Sequence, residues 1–296
     1  MLKFNSTIFL LALLLVVSCN DAKNPNDIRD DINAKEDSLN SNQGSTLEAL
    51  NKELIKNPND SYLYYKRALE HQRIKVVDDA LADVNRAIGL DSTNADYLLL
   101  KAQLLFNKGK GLDAKAIIEK NIGVNPDHIN SHLWLAELHL YTNQNIESIK
   151  SINNALKVDI YNAKAYYLKG LNYKYVGDTA TAVTSFQTAV EQDPDYYDAY
   201  MQLGLIYAAA GDPLAVAYYN NAITVNPKSI EAIYNRSLYL QNNNDIEMAK
   251  QGYRSISKID PKYQQSYYNL GYIKLVIEEE YDSAIVFFNK IGRAHV

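Results

Sequence analysis

From about Ser61 almost to the last residue, apolar positions recur three and four residues apart in short stretches separated by polar turns. That spacing predicts amphipathic helices, because residues three and four apart share one helical face. The stretches come in pairs, and the pairs echo every 34 residues. Small residues mark the echo at fixed offsets (Ala68, Ala102, Ala136, Gly170, Gly204, Ser237, Gly271), and Pro58, Pro126, Pro194, Pro227 and Pro261 punctuate it. A pair of short helices cannot bury its apolar face alone and must stack on its neighbours. The expected fold is all-α, a right-handed α-solenoid of stacked helix-turn-helix units.

With position 1 set three residues after each Pro, the units run 61–94, 95–128, 129–162, 163–196, 197–229, 230–263 and 264–290. The first helix of each unit carries bulky residues at positions 4 and 11 around a small one at 8, as in Tyr166, Gly170 and Tyr173 or Tyr200, Gly204 and Tyr207. The second helix repeats the device. Position 20 holds Ala80, Ala114, Ala182, Ala215, Ala249 or Ala284, and position 24 holds Val84, Ile118, Phe186, Tyr219, Tyr253 or Phe288. Between the helices, position 15 is Gly109, Asn143, Gly177, Gly211 or Asn244, residue types that tolerate the left-handed backbone at a helix end.

In these residues the stretch from about 46 to 290 resembles the tetratricopeptide repeat family. The departures from the pattern are specific: Ser92 and Ile160 replace the spacing Pro, Asn121 and Ile256 replace the small residue at position 27, and Arg67, Lys101, Lys169 and Arg236 stand at position 7 where Leu is common. The fifth unit is one residue short at Gly211-Asp212-Pro213, and the seventh one residue long around Glu278-Glu279-Glu280, both expected in loops. Residues 46–60 read as the lone second helix of an incomplete leading unit that caps the stack.

The resemblance implies a non-catalytic protein-binding scaffold whose concave groove is lined from positions 2, 5, 9, 12 and 13. Those positions hold Tyr62, Tyr65, Tyr141, Tyr167, Tyr175, Tyr234, Tyr268 and Tyr272, joined by Leu99, Phe106, Leu133 and Met201. A groove rich in Tyr and poor in charge suits an extended peptide or a partner helix, since rings offer large contact area at low entropy cost. The same rings could instead only cover the inner helix wall. Replacing Tyr167 and Tyr234 together by Ala is expected to weaken a partner and leave the array folded. Chaperone-tail binders of this family hold a terminal carboxylate with Lys at position 5 and Asn at 9. Here position 5 reads Tyr65, Leu99, Leu133, Tyr167, Met201, Tyr234 and Tyr268, so that clamp is not expected.

Residues ahead of the array carry an address. Lys3 precedes an apolar run from Ile8 to Val17 that ends in Val16-Val17-Ser18-Cys19, the order of a secretory leader too short to span a membrane permanently. Residues 1–18 resemble the signal peptide of bacterial lipoproteins, which implies that Cys19, the single cysteine, is acylated and begins the mature chain. Residues 19–45 are nearly devoid of apolar matter and should form a flexible tether reaching on the order of 30 Å. Asp37-Ser38-Leu39 resembles a glycosylation motif of some Bacteroidota, and with the lipoprotein leader it implies a Gram-negative source of that kind. The chain is then expected in the cell envelope, more at the outer membrane than the inner, because Asn20 is not the Asp that retains some lipoproteins in the inner one. At the other end, residues 291–296 (Ile-Gly-Arg-Ala-His-Val) resemble translated sequencing adapter, so the natural chain is expected to continue past Lys290.

Composition narrows the function. A net charge of -5 with no basic stripe disfavours nucleic acid, whose affinity comes largely from phosphate neutralisation. No phosphate-cradling Gly loop, nucleophile elbow or paired-cysteine metal site is present in the sequence, so neither catalysis nor a cofactor is expected. His128, His132 and His139 are the best metal candidates, but His132 and His139 fall at packing positions 4 and 11 and are read as packing residues, like Trp134. Two alternatives stay open: a glycan-binding nutrient-uptake lipoprotein whose rings stack on sugars, and the repeat part of a longer sensor or enzyme.

Overall fold

The computed structural model describes residues 46–292; the leader, Cys19, the linker and residues 293–296 lie outside them. The described chain is helical from end to end. Helix α1 spans 46–56. Seven helix pairs follow: α2 (Ser61–Arg73) with α3 (Val77–Leu90), α4 (Ala95–Asn107) with α5 (Gly111–Val124), α6 (Ile129–Tyr141) with α7 (Asn145–Val158), α8 (Ala163–Tyr175) with α9 (Thr179–Gln192), α10 (Tyr197–Ala209) with α11 (Leu214–Val225), α12 (Ile230–Asn242) with α13 (Ile246–Ile259), and α14 (Gln264–Tyr272) with α15 (Tyr281–Gly292). The pairs are stacked in chain order as a solenoid, each second helix resting on the first helix of its own unit and of the next. Successive first helices also touch (α2 with α4, α4 with α6, α6 with α8, α10 with α12), and among the described residues no two successive second helices come as close. A stack in which one row touches and the other fans apart curves around the touching row. At the leading end, Leu50 and Leu54 of α1 bury against Leu63 and Tyr64.

Within a unit the two helices are spaced by the residues at positions 8 and 24. In the fourth, fifth and seventh units position 8 is Gly170, Gly204 or Gly271, and a Cβ there would lie 2.5–2.6 Å from ring atoms of Phe186, Tyr219 or Phe288. In the first three units position 8 is fully buried Ala68, Ala102 or Ala136, and the partner shrinks to Val84, Ile118 or Ile152. The sixth unit pairs Ser237 with Tyr253 and makes room with Gly252, whose Cβ would fall 1.9 Å from Ser237 Oγ.

The turns are built mainly from backbone. Position 15 is left-handed at Gly109, Gly177, Gly211, Asn143 and Asn244, and equally at Lys75 (φ 63) and Glu279 (φ 56), which carry none of the expected residue types. In the first six units the following N–H reaches back five residues at 2.8–2.9 Å, from Val76 to His71 O through Asp245 to Leu240 O. This closure satisfies helix-end carbonyls whatever side chain stands at the turn. Between units, the side chains of Asp91, Asp159, Asp193, Asn226 and Asp260 at position 31 each accept the N–H two residues on, at 2.9–3.3 Å. The same Asx turn forms with Ser92 or Ile160 as with Pro, which is why the proline is dispensable there.

The seventh unit departs from expectation. Its extra residue is not taken up in the loop around Glu278-Glu280; the first helix instead passes into a π-helical stretch at Ile273–Ile277. Such insertions widen one turn and keep the helix intact. Ile273 remains fully buried at position 10, and the slip after it lets Glu278 pair with buried Lys250 of α13 and, at 2.6 Å, with Lys274, which also reaches Glu280 at 2.7 Å.

Candidate partner-binding face

The touching row of first helices carries the expected ring positions, and the structure sorts them into three groups. Tyr62, Tyr141, Tyr175, Tyr268 and Tyr272 are exposed, Tyr141 the most at 75%. Tyr65, Phe106, Tyr167 and Tyr234 are half-buried. Each of these four leans on another ring: Tyr65 on Tyr97 at 4.9 Å, Phe106 edge-on to Trp134 and Tyr141, Tyr167 on Tyr196 at 5.2 Å, and Tyr234 edge-on to Tyr263 at 5.9 Å. Tilted and edge-on pairs of this kind stabilise by about 0.5–1.5 kcal/mol beyond area burial.

Leu99, Leu133 and Met201 form the third group, and the expectation that they line the surface is corrected. Leu133 and Met201 are buried, packed against Ile152 and Leu168 and against Ala232 and Tyr239 respectively, and Leu99 sits at the edge of burial beside Phe106 and Trp134. The reason is reach: at position 5 a tyrosine is long enough to emerge past the neighbouring helix, and a Leu or Met is not. The choice of Tyr167 and Tyr234 as dispensable rings is corrected as well. Tyr167 packs into the clusters on both sides of α8, and burial, with Asp198 and Glu137 nearby, pushes its hydroxyl up to about 12. Tyr234 packs against Tyr253 and receives a 3.3 Å hydrogen bond from Asn269 Nδ2. Truncating either removes core contacts.

The histidines have a repeat-level explanation. Buried His132 donates from Nε2 to Pro126 O at 2.7 Å. Tyr64 and Tyr166, at the same position 4, donate to Pro58 O and Ile160 O at 3.2 and 3.0 Å. A carbonyl only accepts, so the His132 proton is on Nε2, and the side chain does what tyrosine does elsewhere. His139 bonds Gln144 Oε1 and His128 bonds Ser131 Oγ, both at 2.7 Å. Asn121, in the place of a small residue at position 27, is fully buried and donates to Ala95 O and Ser131 Oγ at 2.8 Å, so its polar head is bonded across the unit boundary.

Tyr97, Tyr196 and Tyr263, the supports behind three half-buried rings, were not among the expected residues. Their signal was an aromatic within three residues of the boundaries that open the second, fifth and seventh units. Cys19 lies outside the described residues, and no described helix is long and apolar enough to cross a membrane.

Residues 167–230 match the family model described as tetratricopeptide repeat. Anaphase-promoting complex subunit 3 of Schizosaccharomyces pombe is 22% identical over 183 residues, 62% of this chain and 27% of that protein. The chain spans between 27% and 52% of the length of the curated relatives it matches. The crystal structure of yeast Tom70 superposes with a TM-score of 0.62 at 18% identity, covering 87% of this chain and 56% of that one. The C-terminal part of a TPR repeat-containing protein from Cytophaga hutchinsonii does so with a TM-score of 0.54 at 21% identity, covering 77% and 94%. Proteins of this repeat generally mediate protein–protein contacts, and the fold of the chain is the tetratricopeptide-repeat solenoid.

Proposed function

We propose that the chain is a non-catalytic scaffold of the cell envelope, anchored by a lipid on Cys19, that grips an extended segment of a protein partner along its first-helix row. The observation that carries the reading is the file of rings on that row. Tyr62, Tyr141, Tyr175, Tyr268 and Tyr272 are exposed on four first helices, and the half-buried rings behind them hold the wall rigid. Rigid exposed rings are the residues that dominate binding energy where a partner desolvates them. The anchor rests on the order of charge, apolar run and Cys19 in residues 1–19.

The test replaces Tyr141, Tyr175 and Tyr268 together by Ala, since their exposure separates binding from folding. Crosslinking in native envelope fractions should recover a partner with the parent chain and lose it, by tenfold or more, with the triple variant at unchanged helicity. Equal recovery sinks the reading. The anchor is tested separately: metabolic labelling with an alkynyl fatty acid should mark the parent and not Cys19→Ser, and labelling of both would place the lipid elsewhere.

A further inference from the structure

Between α7 and α8 lies a cavity of about 250 Å³, lined by Asn145, Ile146, Ile149, Asn172, Tyr173 and Val176. Two polar residues that break the repeat lie at or behind its wall. Position 20 is Ala in the other six units but Ser148 in the third, and position 10 is buried Leu104, Leu138 and Ile273 in the second, third and seventh units but Asn172 in the fourth. Both substitutes are buried, Ser148 completely and Asn172 to 1% exposure. Ser148 Oγ donates to Ala136 O at 2.8 Å, which leaves it to accept from Asn172 Nδ2 at 2.9 Å. The second N–H of that amide goes to Leu168 O at 2.9 Å.

These bonds fix which way the amide faces, because its nitrogen meets only acceptors. Asn172 Oδ1 is therefore the atom left over, buried with no donor, and Asn145 Oδ1 on the same cavity is in the same condition. An unanswered buried carbonyl destabilises the fold, and here two of them belong to residues that line one hollow. The remaining wall is the aliphatic bodies of Ile146, Ile149 and Val176 and the ring of Tyr173. Ile146 is 82% exposed and Val176 57%, so the hollow opens to solvent between them. A cavity of roughly 150 Å³ is enough for benzene, so this one has room for a larger ring.

We propose that the α7–α8 cavity is a binding site for a ring-sized apolar group carrying an N–H or O–H donor, of the indole or phenol class, with Asn172 Oδ1 and Asn145 Oδ1 receiving the donor. The site is separate from the ring-bearing face and does not depend on it. The same chemistry is offered by a free small molecule and by a Trp or Tyr side chain of a protein partner.

Titration calorimetry on the chain with indole, N-methylindole and N-acetyltryptophanamide tests it. Indole should bind saturably and N-methylindole, which lacks the donor, at least tenfold more weakly. Asn172→Leu, which restores the residue of the third unit, should abolish binding and raise Tm; the double variant S148A/N172L guards against a stranded Ser148 hydroxyl. N-acetyltryptophanamide binding as tightly as indole assigns the site to a partner side chain, and its exclusion while indole binds assigns it to a free molecule. No saturable indole binding, equal binding of N-methylindole, or undiminished binding to both variants overturns the proposal and leaves the hollow a packing defect filled by water.

Discussion

The first three units and the fourth, fifth and seventh solve the same spacing problem with opposite divisions of volume. In the front units Ala68, Ala102 and Ala136 face Val84, Ile118 and Ile152; in the back, Gly170, Gly204 and Gly271 face whole rings of Phe186, Tyr219 and Phe288. The helices need a fixed amount of matter between them, and which helix supplies it is free. Interiors packed at crystal density feel a change of one methylene, so a larger residue at position 8 opposite a ring needs room made elsewhere, as Gly252 makes it for Ser237 in the sixth unit.

The largest break comes from removing a back-half ring. Phe186→Ala should cost about 3–5 kcal/mol, seen in urea unfolding, and more than Val84→Ala in the front half. Adding one carbon to the glycine side comes next: Gly204→Ala drives a methyl into Tyr219 and should cost about 1–3 kcal/mol. Converting the fourth unit wholesale sharpens the point, because Gly170→Ala with Phe186→Val reproduces the pairing of the first unit and should recover much of what Phe186→Val alone loses. A non-additive cycle is the expected result, and simple additivity of the two losses would show that positions 8 and 24 are not coupled.

A pH experiment separates the seventh unit from the rest. Hydrogen bonds from Lys250 and Lys274 hold the Glu278 carboxyl below its ordinary range. A depressed carboxyl stabilises above its unfolded pKa, and the contribution disappears as pH falls through the folded value. Amide exchange in α14 and α15, corrected for its intrinsic rate, should therefore speed up below about pH 4 while α10 and α11 hold; Glu278→Gln should reduce the difference. The smallest effect is expected at an exposed ring with no ring partner, where Tyr175→Ala should change stability by no more than about 0.5 kcal/mol.

Much of this was legible in residues alone. Positions 4, 8, 11, 20 and 24 mark the buried faces, since helical periodicity and side-chain volume both speak at those positions. Lys75 and Glu279 escaped because backbone closure, not residue type, makes the turn. The π-helical stretch escaped because Glu278-Glu279-Glu280 looks ready for a loop, and only the Lys250 and Lys274 pairs across space show where the slip is absorbed. On the candidate face, the repeat phase put the rings on the first-helix row, but whether a residue at position 5 is surface or wall depends on its length against a neighbouring helix, as Leu133 and Tyr268 show. The Ser148–Asn172 pair could have been read as two simultaneous departures from the repeat, one in each of two adjoining units.

The pairing of positions 8 and 24 lies inside one unit, and that has a bearing on how such an array lengthens or shortens. A whole 34-residue unit that is duplicated or lost brings or removes both halves of its own lock. The new neighbours meet backbone spacings they already fit. Recombination between units is thus nearly silent where the lock is internal, and costly where a bond crosses the boundary. Asn121 to Ser131 and Asn172 to Ser148 tie the second, third and fourth units into a fixed order, and Lys250 to Glu278 with Asn269 to Tyr234 tie the sixth to the seventh, so each of these blocks should be inherited as a piece.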